Sequence, residues 1–88
     1  MVIKTPGPVT VGTRPTLLSL PDQDFVPGAS IDVWLTGPGT LYVGGADVTP
    51  ATGRPVTDSY QMDLAAGDLL YGVVADGELT VGRLQTGV

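Results

Sequence analysis

Apolar residues along this chain come in short runs, each only a few residues long and broken by polar or turn-forming residues. Val, Leu, Ile, Thr and Tyr dominate them, and turn-forming residues separate them. The pattern predicts strands near 8–12 (PVTVG), 15–20 (PTLLSL), 31–36 (IDVWLT), 40–44 (TLYVG), 59–64 (SYQMDL), 69–75 (LLYGVVA) and 78–84 (ELTVGRL). No segment carries a 3.6-residue period. About seven short strands without a helix predict an all-β domain, a single small β-sandwich or jelly-roll-like barrel. Residues 1–8, with Pro6 and Pro8, read as an extended N-terminal arm, and residues 9–88 as the sandwich domain.

The turns refine this picture. Asp76-Gly77 is a preferred pair for a two-residue type I′ turn, whose central residues both need positive φ. A hairpin there places Val74 opposite Leu79, Gly72 opposite Val81 and Leu70 opposite Arg83. Leu70, Val74, Leu79 and Val81 then share a core face, while Leu69, Tyr71 and Val73 line the other. A strand apolar on both sides is either central and covered twice, or meets another subunit. "LTGPGTLYV" reads as two strands around Gly37-Pro38-Gly39, and "DLAAGDLLY" turns at Ala66-Gly67. Trp34 allows two readings. If Ile31, Val33 and Leu35 face the core, it points outward with Asp32 as an interface anchor; if the strand is central, it is buried.

The stretch "LYVGGADVTPATGRPV" at 41–56 invites three readings: a phosphate cradle, a metal loop or a corner between strands. A phosphate loop needs a following helix and usually a Lys or a hydroxyl side chain; here Asp47 follows and would repel phosphate. The expectation is a corner, with Gly44-Gly45 adopting angles that a side chain would forbid, Val48 returning to the core and 49–53 forming an exposed tip.

Composition narrows function by exclusion. The 88 residues suit one small domain of thin stability unless subunits help. The 13 glycines and 8 prolines are spread as frequent turns, and the 42% hydrophobic content argues against disorder. Net charge is -5, and the four basic residues, Lys4, Arg14, Arg54 and Arg83, are scattered. That disfavours nucleic acid and anionic membranes as partners. No apolar run approaches the roughly 20 residues of a membrane helix. "MVIKTPGPV" has prolines where a signal peptide has its apolar core. Absence of His and Asn beside abundant Gly, Pro and Ala follows GC-rich codons.

Catalytic chemistry finds few of its parts. Without His, a Ser-His-Asp arrangement is impossible, and Ser19, Ser30 and Ser59 have no adjacent base. Lys4 sits in the expected arm, a poor place for a desolvated amine. Asp22, Asp47, Asp58, Asp68 and Asp76 fall at turns, where Asp bonds its own backbone. Asp32 and Asp63 alternate with apolar neighbours and should face solvent. "DQDFVPGAS" has Asp22 and Asp24 at ligand spacing but no closing glutamate, so calcium is not expected. With no cysteine there is no thiolate metal site. The reading is a non-enzyme with no catalytic residues, metal or cofactor. Small size and a doubly apolar strand predict a homo-oligomer, a trimer first, joined through Leu69, Tyr71, Val73 and Trp34.

Taken together, "PVTVGTRPTLLSL", "TLYVGGADVTPATGRPV" and "LAAGDLLYGVVADGELTVGRLQTG" resemble a small β-domain of tailed-bacteriophage virion proteins. The shared features are the opening strand at Thr10–Gly12, Tyr42–Gly45 with Asp47–Thr49 and Gly53–Val56, then Gly67–Tyr71 and Ala75–Leu84. They cover nearly all of the chain after residue 8 and mark a fold and a setting, not a reaction. Relatives of this type are often appended to fibres or larger head proteins, whereas this chain is the β-domain with a short arm. The resemblance implies a capsid decoration (minor capsid) protein that binds and stabilises the outside of the head, its partner being the major capsid protein. Val2, Ile3 and Lys4 of the arm would then lie along a neighbour. The location implied is the virion surface, after assembly in the host bacterial cytoplasm, which a cysteine-free chain fits. The alternative is a tail, fibre or baseplate module that binds a host-surface carbohydrate or receptor.

Overall fold

The computed structural model describes residues 2–5, 7–19, 28–65 and 68–87. Among them run nine strands: β1 (Val2–Lys4), β2 (Val9–Val11), β3 (Thr16–Leu17), β4 (Gly28–Leu35), β5 (Leu41–Gly44), β6 (Arg54–Val56), β7 (Ser59–Ala65), β8 (Tyr71–Val73) and β9 (Leu79–Gly87). They form two antiparallel sheets, a small β-sandwich without a helix among the described residues. In the five-stranded sheet β9 lies between β4 and the pair β1 and β2, and β7 follows β4; the four-stranded sheet runs β3-β8-β5-β6.

Alternation along the strands decides what is buried. On β4, Ile31 and Val33 are sealed in the interior, whereas Trp34 is 40% exposed. Of the two orientations expected for Trp34, the structure has the outward one. Val11, Leu79 and Val81 from the five-stranded sheet meet Leu18, Leu41, Val43 and Val56 from the four-stranded one in a single core. Leu70, Val74, Leu79 and Val81 are all buried there, as their spacing predicts.

The pairing of those four residues is another matter. β8 and β9 do not form a hairpin; they belong to different sheets. Among the described residues no side-chain-bearing position has positive φ, so Asp76 cannot complete a type I′ turn, and Gly77 (φ 70°) turns alone. The reason is capacity. A strand has two hydrogen-bonding edges; β8 uses one on β3 and the other on β5. β9 is equally occupied, by β4 on one side and by β1 and β2 on the other. After Val73 the chain therefore leaves its sheet, the Val74 N–H donates to Gly12 O (3.0 Å), and the segment crosses to the opposite layer. Gly37-Pro38-Gly39 joins β4 to β5 in the same way, across the sandwich rather than around a hairpin. The turn expected at Ala66-Gly67 lies outside the described residues, as does the 20–27 segment with Asp22 and Asp24.

Two strands add to the expected seven. Residues 2–4 are not an arm apart from the fold: β1 pairs with β9, Ile3 opposite Thr86. β6 extends the corner at 41–56, which is a β5–β6 hairpin with Leu41 opposite Val56. Thr49 and Thr52 close its tip, each backbone N–H donating to the other's hydroxyl (3.0 and 3.2 Å). Gly44 and Gly45 have no positive φ. Gly44 answers to space instead, since a Cβ there would sit 2.9 Å from Val48 Cγ2.

One cation stitches the layers together. Arg83 of β9 donates from Nε to Gly7 O and from a terminal nitrogen to Leu18 O, both at 3.0 Å. Leu18 directly follows β3, so this side chain links both sheets and the β1–β2 connection. Charged hydrogen bonds of this kind contribute about 1.5–3 kcal/mol each. Arg83→Leu is expected to lower the unfolding free energy by roughly 2–4 kcal/mol in urea titrations. Arg83→Lys recovers only part of that, because an ammonium on a thin stem cannot span both carbonyls as a guanidinium fork does. Equal stability of Arg83→Leu and the parent chain would contradict the clamp.

Candidate protein interface

Two sheet faces and one side of the sandwich are candidates for recognition. Outward from the five-stranded sheet, cross-strand partners share a face. Trp34 lies between Ser59 and Gly82, Asp32 between Gln61 and Leu84, and Ser30 between Asp63 and Thr86, with Ile3 beyond Thr86. The Ser30 hydroxyl donates to Asp63 Oδ1 at 2.6 Å, and the Thr36 hydroxyl donates to Thr80 O at 2.7 Å. This face is mostly hydroxyls and carboxylates, crossed by one apolar diagonal of Ile3, Leu84 and Trp34. Ile3 is 60% exposed.

The indole of Trp34 is held in place by an absence. Gly82 sits directly across from it, and a Cβ at Gly82 would fall 2.2 Å from both Cε2 and Nε1 of Trp34. The ring therefore lies across bare backbone, one side covered and the rest open to solvent. Gly82 and Leu84 were not among the expected site residues. The hairpin reading set both opposite the 69–75 strand, and only the observed β4–β9 register brings them beside Trp34.

The outer face of the four-stranded sheet is the second surface. Tyr42 lies opposite Val73, and Leu17 opposite Tyr71. Leu17, Tyr42 and Tyr71 are half-buried. The 45–53 loop folds back so that Val48 seats against Gly44 and Gly53, and Gly53 in turn lies against the Cβ of Tyr42. Val73, expected at a subunit contact, is only 1% exposed. Leu69 is 40% exposed. The side chains of Val2 and Lys4 lie outside the described set.

These placements separate the expected interface residues. Ile3 and Trp34 share the outer face of one sheet, while Tyr71 and Val73 belong to the outer face of the other. Trp34, Leu69, Tyr71 and Val73 thus do not make one patch, and a trimer built on that patch loses its surface.

The third region is the side of the sandwich where β6 and β7 form the sheet edges. A cleft of about 260 Å³ opens there between the layers, lined by Val43, Arg54, Tyr60, Met62, Leu64 and Leu69 among others. The Arg54 guanidinium stands 5.3 Å from the centre of the Tyr60 ring, a cation–π contact at the mouth. Among the described residues, no group of three or more His, Cys, Asp or Glu could hold a metal ion, and no helix is long and apolar enough to cross a membrane.

Compared with known protein families, curated proteins and solved structures, the chain matches none.

Gly82→Ala tests the geometry around the one tryptophan. The added methyl must lift the indole, so Trp34 emission should move to longer wavelength. The unfolding free energy should change by about 1 kcal/mol or less, because the displaced ring is already partly solvated. Unchanged emission would show that the indole does not rest on Gly82.

Proposed function

We propose that the chain is a non-enzymatic structural protein of a bacteriophage virion, most specifically a decoration protein that binds the outside of the capsid through the outer face of its five-stranded sheet. The observation that carries this reading is Trp34, 40% exposed and seated across Gly82, at the end of the apolar diagonal with Leu84 and Ile3. Aromatic anchors inside a polar, water-excluding surround are where interfaces concentrate their binding energy. Thr10, Thr80, Thr86 and Ser30 supply that surround. A broad sheet face also suits a repeated protein lattice, and a domain this small can present one patch of standard size, about 800 Å². Net charge of -5 keeps the copies off packaged DNA.

The sequence resemblance to virion β-domains supports the setting, and the absence of histidine and cysteine fits a binding role. Ile3 reaches the patch from β1, so the first residues contribute as part of the sheet rather than as a free arm.

A tail or fibre module that binds host carbohydrate is the second reading, favoured by the same indole. A tryptophan with one side on backbone and the rest open is a stacking platform for a sugar ring. Cosedimentation with heads assembled from the accompanying major capsid protein separates the two. Trp34→Ala and Ile3→Asp are each expected to weaken head binding at least about tenfold, 1.4 kcal/mol, with unchanged thermal melting. Tight head binding by both variants would exclude this face. Association with tails alone, with sugar-dependent quenching of Trp34 fluorescence, would favour the second reading.

A further inference from the structure

The sheet edges of this sandwich are not equally protected. Beside β9 one edge is shared by β1 and β2, each three residues long, and β6 on the opposite side is three residues long with Pro55 at its centre. Shortness and proline are ordinary ways of blunting an edge. β7 has neither. It runs seven residues, contains no proline, and among the described residues pairs only with β4.

The hydrogen-bond parity of β7 follows from one contact. The Leu35 N–H donates to Asp58 O at 2.9 Å, so positions 35 and 58 form a hydrogen-bonded pair. Alternation then sends the backbone groups of Tyr60, Met62 and Leu64 toward β4, and those of Ser59, Gln61 and Asp63 to the free side. The side chains follow a second alternation. Tyr60 and Met62 are half-buried along the 260 Å³ cleft, while Ser59, Gln61 and Asp63 are exposed on the outer face.

We infer that β7 is a self-pairing edge, and that two copies of this chain join antiparallel through it about a two-fold axis at Met62. The strand is complementary to its own reverse. Centred on Met62, the register sets Gln61 opposite the second copy's Asp63, an amide donor facing a carboxylate rather than two carboxylates facing each other. The same register sets Tyr60 opposite Leu64 and Met62 opposite Met62, on the side of the apolar cleft. Gln61 and Asp63 are both outward-bonding positions, so this pairing is also a hydrogen-bonded one and exchanges two backbone bonds per pair. Asp63 is the sole charge on the strand, and Arg54 over Tyr60 adds a positive charge at the edge of an otherwise acidic chain. The joined sheets continue across the axis, and the second copy covers the mouth of the cleft. Because the outer face carrying Trp34 is left clear, the pairing is independent of the capsid reading.

Sedimentation velocity from low to high micromolar protein, with amide hydrogen exchange at the upper concentration, tests this. A dimer is expected, with the Gln61 and Asp63 amides as protected as those of Tyr60 and Met62, and released on dilution. Gln61→Pro removes one outward N–H and none that bonds β4, so it should keep the β circular-dichroism spectrum and raise the dimer dissociation constant at least about tenfold. Met62→Pro, striking the β4 side, should instead lose the fold. A monomer at every concentration overturns the inference. So does a dimer whose Gln61 and Asp63 amides exchange freely, a result that does not require Gln61→Pro to fold, or one that a folded Gln61→Pro leaves intact.

Discussion

Two layers of sheet can slide and splay unless something other than apolar contact fixes them, and here that constraint is Arg83. It projects from β9 toward the interior, where an unpaired cation would cost several kcal/mol. Backbone carbonyls of Gly7 and Leu18 receive it. Around it the same side of the sandwich is closed by further polar pairing. Leu18 and Ser19 N–H both donate to Leu70 O, and the Leu70 N–H donates to the buried Ser19 hydroxyl at 2.8 Å. Gly72 completes the seal by its bareness, since a Cβ there would meet Leu18 and Leu41 at about 3 Å.

The opposite side is built differently. Between β6 and β7 the layers are bridged by Arg54 over Tyr60, a contact worth about 0.5–1 kcal/mol at an exposed position. The cleft beneath is apolar and only partly filled. A domain of 88 residues has little surplus core with which to close both sides equally. The asymmetry therefore locates where added contacts can contribute most: along the open side, not along the clamped one.

How far the sequence could be read follows from what is local. Alternation marked the buried residues of β4, β7 and the first half of β9, because burial on one face is written into every second residue. The continuous apolar run of β5 left its inner face open. Partner choice is not local. Asp76-Gly77 has the chemistry of a tight hairpin, yet the strands on either side of it had their edges claimed by β3, β5, β4, β1 and β2, from distant parts of the chain. β6 was invisible because Arg54-Pro55-Val56 buries one side chain in three. Gly44, Gly72 and Gly82 were legible as glycines but not as spaces, since each is kept bare by a side chain from another element. The surface suffered the same limit. Trp34 and Ile3 could be picked out singly, but joining them to Leu84 required the β4–β9 and β1–β9 registers.

Placement of the aromatic residues then constrains how the molecule can be used. Two tyrosines, Tyr42 and Tyr71, face outward from the four-stranded sheet, and the 45–53 loop with Val48 already occupies part of that surface. Trp34 faces the other way, outward from the five-stranded sheet. A partner that needs an uninterrupted, nearly flat surface meets the five-stranded sheet more easily. One that inserts a projection would favour the recessed side at Arg54 and Met62. Opposed faces and a lateral edge can be engaged at once without steric conflict. A partner bound at any of these surfaces, if it binds the folded state alone, would shift the folding equilibrium toward that state.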